Sequence, residues 1–171
     1  MKIKENSKDL KLSYIYNNYQ EEIKEAKQTK KDAGIFLDEL LEKEINQRKE
    51  NGIKKRIHFA RFPIKKYLED FDRKLYSSEF NKEFEELDTL DFIDKKENII
   101  LIGTPGAGKT HFAIGLGIKA CIEGKTVLFV SVPNLIIELK EAMSRAQLNS
   151  YKRKFEKYNL VILDELRICF F

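Results

Sequence analysis

Two short stretches carry the residue types that could do chemistry. Gly103-Thr104-Pro105-Gly106-Ala107-Gly108-Lys109-Thr110 matches G-x-x-x-x-G-K-[ST] at every position. It follows an apolar run and precedes a helical one, the strand–loop–helix setting that this phosphate-binding motif requires. Its glycines let the backbone curl with successive N–H groups pointing inward, an anion nest capped by the positive end of the following helix. In such a loop Lys109 reaches the β- and γ-phosphates of ATP, and Thr110 offers its hydroxyl to Mg²⁺. The second stretch, 55 residues beyond Lys109, is Asp164-Glu165 at the end of Leu160-Val161-Ile162-Leu163. A carboxylate at the C-terminal end of a parallel strand lies on the ligand edge of an open α/β sheet. There Asp164 is expected to hold the magnesium through water, and Glu165 to orient and deprotonate an attacking water. Four apolar residues before two acids is a weak pattern alone; downstream of a complete phosphate loop it becomes a Walker B strand.

These groups work together only if the elements around them form a sheet. Ile99-Ile100-Leu101-Ile102 is a continuous apolar run, as expected of a strand buried on both faces. His111 to Glu123 reads as a helix closed by Gly124, Thr126 to Val130 as a second strand, Pro133-Asn134 as the start of a helix bearing Leu135, Leu139, Met143 and Ala146, and Leu160 to Leu163 as a third strand. That alternation predicts an α/β domain with parallel strands joined by right-handed crossovers. Gly115 and Gly117 each cost a helix roughly 1 kcal/mol against alanine, so close helix–sheet packing is expected there. His111 has no neighbour that would make it a base and reads as structural. Cys121 and Cys169 form neither a CxxC pair nor a disulfide framework and read as core residues.

Upstream the periodicity is helical, from Tyr14 to Ala26 and from Ile35 to Lys49. Asn51-Gly52 predicts a helix stop, and a short basic helix is expected from Ile53 to Ala60, ending before Pro63. Leu68 to Asp72 reads as a connector, and Phe80, Phe84, Leu87, Leu90 and Ile93 mark one further amphipathic helix. The 171 residues are 42% hydrophobic with twelve Phe and seven Tyr, which excludes disorder throughout. No apolar stretch approaches the ~20 residues of a membrane helix, and the N-terminus lacks an apolar signal segment, so a cytoplasmic protein is expected. The net charge of +4 is unevenly spread: residues 1–75 hold 19 basic and 14 acidic side chains. Arg48, Lys49, Lys54, Lys55, Arg56, Arg61, Lys65 and Lys66 fall in one window with Glu50 as its acid, beside Phe59, Phe62 and Tyr67. Such a window is either a solvated helical face or a phosphate-binding surface whose aromatics stack on bases.

The loop with His111, Leu90-Asp91-Phe92-Ile93, Glu97-Asn98, Ala60-Arg61-Phe62-Pro63, Leu68-Glu69-Asp70-Phe71-Asp72 and Asp164-Glu165-Leu166 together resemble the IstB/DnaC-like AAA+ ATPases. These are transposition helper proteins of insertion sequences and replicative helicase loaders. Leu12-Ser13-Tyr14-Ile15 and the helix with Phe36-Leu37 and Leu40-Leu41 look more like the IstB branch. The resemblance implies a P-loop α/β fold behind a small all-α module, ATP and Mg²⁺ as ligands, and ATP-dependent homo-oligomerisation on double-stranded DNA. It also implies delivery of a transposase or, in the other branch, a replicative helicase, and it favours the basic window as a DNA contact. By analogy the Phe62–Phe71 connector lines the adenine end of the site. The implied division is 1–66 as a basic helical module, 67–97 as connector and helix, and 98–171 as the N-terminal part of the ATPase domain.

Family members continue well past the Walker B acids to a sensor-1 strand, an arginine finger and a further strand, whereas this sequence ends six residues after Glu165 in Arg167-Ile168-Cys169-Phe170-Phe171. A frameshift or premature stop after Leu166 is therefore expected, and a remnant that binds DNA or a partner without hydrolysing ATP is the alternative to an active ATPase. The family's strand order places the loop-bearing strand between the two strands not reached. Strand 99–103 should then be separated from 160–163 by about two strand spacings, ~10 Å, or pair across the gap in a non-native way.

Overall fold

The computed structural model describes residues 2–166, which fall into two compact units dividing at Lys54/Lys55. The first is helical: α1 (Ile3–Asp9), α2 (Ser13–Gln28) and most of α3 (Ala33–Phe59). Asp32 caps α3 locally, its Oδ1 accepting from the Gly34 N–H at 2.8 Å. No local side chain caps α2. Its first N–H groups instead donate to the carboxylate of Glu44 on α3, from Ser13 at 3.0 Å, Tyr14 at 2.8 Å and Ile15 at 3.1 Å. Arg48 donates to the same carboxylate at 3.2 Å and to the Lys11 carbonyl at 2.9 Å, tying the α1–α2 turn to α3.

The expected helix stop at Asn51-Gly52 is corrected: α3 runs through it to Phe59. Gly52 is not among the glycines with positive φ, so it does not form the left-handed stop, and one interior glycine costs only ~1 kcal/mol. The chain leaves the helix at Arg61, φ 62°, ahead of Pro63 as anticipated.

The second unit holds α4 (Ser78–Asp88), α5 (Asp91–Lys95), α6 (Lys109–Ile122), β1 (Val127–Ser131), α7 (Val132–Ser144), α8 (Leu148–Phe155) and β2 (Leu160–Asp164), with 3₁₀ turns at Leu68–Asp70 and Arg73–Leu75 in the connector. β1 and β2 pair in parallel, Val127 opposite Leu160 through Ser131 opposite Asp164. The free edge of β1 is met by the end of α3, where the Phe129 N–H donates to the Ala60 carbonyl at 2.8 Å. Ala60-Arg61-Phe62-Pro63 thus shields a strand edge that would otherwise invite pairing. α6 is the core helix, with Phe112, Ile114, Ile118, Ala120 and Cys121 at 0–1% exposure. Gly117 allows the expected close approach to the sheet: a Cβ there would stand 2.8 Å from both Ile162 Cδ1 and Phe62 Cζ. Gly115 serves the connector instead, since its Cβ would lie 2.7 Å from Leu68.

Two further expectations are corrected. The helix read through Phe80–Ile93 is two helices, broken at Leu90, which is 2% exposed and left-handed with φ 62°. Burying Leu90 requires the turn, and the Thr89 hydroxyl accepts from the Asp91 N–H beyond it at 3.2 Å. The run Ile99–Ile102 is not a strand. Ile99 and Leu101 pack against the core, but Ile100 and Ile102 are 74% and 88% exposed, and no ladder joins the segment to β2 among the described residues. A buried strand exists only with partners for its N–H and C=O groups. α1 and α8 were not anticipated. Among the described residues no helix is long and apolar enough to cross a membrane. Cys121 is core as expected, burial pushing its thiol up to about 11, while Cys169 and the rest of 167–171 lie outside the described residues.

Candidate functional site: a phosphate loop and its carboxylates

The loop 103–108 connects Ile102 to the first turn of α6, and Gly106 and Gly108 take φ values of 82° and 74°. Among the described residues no protein acceptor receives the N–H groups of Gly106, Gly108, Lys109 or Thr110. Open donors at the positive end of a fourteen-residue helix suit a multiply charged anion chemically. The Lys109 ammonium lies back across the loop, donating to the Gly103 and Thr104 carbonyls at 2.8 Å each.

β2 brings the second stretch to the same place. The Thr110 hydroxyl donates to Asp164, 3.1 Å from Oδ1 and 3.2 Å from Oδ2, across 54 residues of sequence. Among the described residues no cluster of three or more His, Cys, Asp or Glu side chains could hold a metal alone. Mg²⁺ favours one or two protein oxygens completed by phosphate and water, and this hydroxyl–carboxylate pair beside open N–H donors fits that requirement. Glu165 follows the strand at φ 59°, exposed to solvent.

The connector packs along the other side of α6. The Tyr67 carbonyl lies 3.0 Å from His111 Nε2, and the Phe71 ring meets that imidazole edge-on at 5.5 Å, so His111 has structural partners. Tyr76 Oη donates to the Ala107 carbonyl at 2.6 Å. Residues Tyr67–Lys74 and the Gly115–Glu123 face of α6 border an open cleft of about 900 Å³ that includes no residue of the phosphate loop.

The basic residues have different fates. In the first unit Arg48 is engaged by Glu44 and the α1–α2 turn, Lys49 is exposed, and Lys54 is exposed with Glu50 at 3.6 Å. In the second, Lys55, Arg61 and Lys65 are exposed, Lys66 is half-buried, and Arg56 donates to the Cys121 carbonyl near the end of α6 at 2.7 Å. Arg48 and Arg56 therefore already have protein partners. Sequence reasoning missed Tyr76 as a neighbour of the loop; the aromatic spacing at 71, 76 and 84 was the available signal.

A glycine loop opening a buried helix, with its threonine against a carboxylate that ends a parallel strand, defines a P-loop nucleotide-binding protein. The chain belongs to the IstB-like ATP binding protein family, whose profile matches residues 5–170. It is 37% identical over 131 residues to a protein named for ATP binding in insertion sequence IS5376 of Geobacillus stearothermophilus, covering 77% of this chain and 52% of the relative. A counterpart named for insertion sequence IS21 of Pseudomonas aeruginosa is 34% identical over 157 residues, covering 92% and 59%. A third, from Bacteroides fragilis, is 26% identical over 163 residues, covering 95% and 81%. The chain spans about half the length of the first two relatives it matches.

Proposed function

We propose that this chain is the ATP-binding helper of an insertion sequence, loading MgATP at the loop and assisting a transposase on double-stranded DNA. The observation that carries the reading is the Thr110–Asp164 contact beneath a loop with open N–H donors. Gly103, Thr104, Pro105, Gly106, Ala107 and Gly108 wrap the phosphates, and Lys109 exchanges its two carbonyl partners for phosphate oxygens. Thr110 and Asp164 would hold Mg²⁺, which would supply neutralisation of phosphate charge when bound. In this reading Glu165 orients a water. Residues 98–171 supply the nucleotide site, 67–97 brace it, and 1–66 meet DNA and the transposase through Lys49, Lys54, Lys55, Arg61, Lys65 and Lys66, with Arg48 and Arg56 contributing charge from fixed positions. Assembly into a homo-oligomer on DNA belongs to the same reading. The relatives' names, all from insertion sequences, favour transposition over helicase loading.

Titration with a fluorescent ATP analogue, with and without Mg²⁺, tests the site. Wild type is expected to bind and Lys109→Ala to lose at least an order of magnitude in affinity, as loss of a charge-assisted hydrogen bond worth roughly 1.5–3 kcal/mol predicts. Equal binding by the two proteins would remove the loop from the reading. Salt-dependent DNA binding that survives Lys109→Ala, without ATP turnover, would favour a DNA-binding remnant.

A further inference from the structure

We propose that Tyr76 is a positioning residue for nucleotide binding, aiming the Gly108 N–H of the phosphate loop by holding the carbonyl of the same peptide. This rests on the nucleotide-binding reading above. The Tyr76 hydroxyl donates to Ala107 O at 2.6 Å, across 31 residues of sequence. In a planar trans peptide the C=O and N–H point in opposite directions. A donor that fixes the Ala107 carbonyl therefore fixes the Gly108 N–H, which finds no protein acceptor among the described residues. A second bond braces the preceding peptide, from the Ala107 N–H to the Thr104 carbonyl at 3.2 Å.

The connector is built to hold this hydroxyl. Phe71 and Tyr76 stack at 5.3 Å, and Phe84 meets both rings edge-on at 5.4 and 5.1 Å. The Asp72 carboxylate caps the 3₁₀ turn leading into Tyr76, accepting from the Lys74 N–H at 3.1 Å. Gly108 lies flat against this plate: a Cβ there would come within 2.8 Å of the Phe71 ring and 3.0 Å of Tyr76 Oη. Left-handed φ and ring contact thus both require glycine at this position. The segment expected to steady the loop from its other end joins no ladder among the described residues, and the aromatic plate is a rigid neighbour of the loop.

The test is binding of MgADP and of AMP, which lacks the β-phosphate, to wild type and to Tyr76→Phe. That substitution removes one oxygen and keeps every ring contact. Tyr76→4-aminophenylalanine, which keeps the ring and supplies an N–H donor, is the second variant and carries the test alone if the phenylalanine variant does not fold. Losing one hydrogen bond predicts a roughly three- to tenfold weaker MgADP affinity for Tyr76→Phe, with AMP affinity unchanged and the melting temperature lowered by no more than about 8 °C. The 4-aminophenylalanine variant is expected between the two. The β-phosphate ³¹P resonance of bound ADP should shift in the phenylalanine variant. Wild-type MgADP affinity in the substituted protein, or equal loss of MgADP and AMP affinity, would overturn the proposal while leaving the nucleotide site standing. Absence of MgADP binding by wild type would overturn the site reading and this inference together.

Discussion

The first unit buries Ile15 and Leu40 together with two polar residues, Ser7 and Glu44, whereas the described residues from Ala60 to Ala142 bury aliphatic and aromatic side chains around α6. Its elements are joined by carboxylates: Glu44 at the start of α2, and Glu22 accepting from Lys43 at 2.7 Å and from Tyr14 at 2.6 Å. A polar tie gives direction and a unique register, while apolar burial supplies most of the free energy. The second unit, which carries the phosphate loop, should therefore yield to cavities and the first to loss of charge. Phe112→Ala is the largest expected effect. The side chain is 1% exposed, with Phe84 and Phe71 rings at 4.6 and 5.2 Å. Its truncation should cost about 3–5 kcal/mol. Hydrogen exchange read by mass spectrometry should show faster exchange across α6 and β1 with little change in α2 peptides. Equal loss in both would mean that the units unfold as one.

Glu44→Ala is the matching cut in the first unit. It leaves the N–H groups of Ser13, Tyr14 and Ile15 without their acceptor and Arg48 without its carboxylate, at a cost of about 1–3 kcal/mol. Exchange should quicken at the start of α2, and α6 should be unaffected. Acid should reach the same unit through Glu22. Hydrogen bonds from Lys43 and then Tyr14 hold its carboxyl below the usual 4.5. A lowered folded-state value contributes stability that is present above the unfolded value and lost as pH falls through the folded one. Protection of α2 should decline on acidification below about pH 4.5, and Glu22→Gln should flatten that limb. On the alkaline side the signs reverse: the Glu22 hydrogen bond raises both Lys43 and Tyr14, so their contribution fades as pH rises through their raised values. An unchanged acid limb in Glu22→Gln would assign the acid sensitivity elsewhere.

What could be read from the chain was local or periodic. The phosphate loop is eight consecutive residues, α6 is mostly apolar between His111 and Lys119, β1 opens on four apolar residues, and a polar end to a further apolar run marks Asp164. The rest depends on residues brought together by folding. Glu44 caps a helix that begins 31 residues earlier, and Tyr76 holds a carbonyl 31 residues later. Neither spacing has a motif. Asn51-Gly52 looked like a helix end because glycine favours the left-handed stop, yet a glycine in ordinary helical geometry pays only a modest penalty. The basic window was legible as charge but not as contact, since Arg48 and Arg56 have protein partners that only the fold supplies.

The sharpest instance is the pair of apolar tetrads Ile99–Ile102 and Leu160–Leu163, which look alike as sequence. Leu160–Leu163 lies within β2, in register with β1, while Ile99–Ile102 joins no ladder among the described residues and exposes alternate side chains. Apolar runs license a strand, but only a partner makes one, because each unpaired buried N–H or C=O costs on the order of 1–3 kcal/mol. The smallest expected effect follows from this difference. Ile102→Ser removes an 88% exposed side chain and should change stability by no more than about 0.5 kcal/mol in urea denaturation, whereas a buried strand position would lose several times that. Amides of residues 99–102 should also exchange faster than those of β1. A loss above about 1 kcal/mol, with slow exchange across 99–102, would show that the segment is paired in solution, and the loop would then be anchored from its strand side as well as by Phe71 and Tyr76.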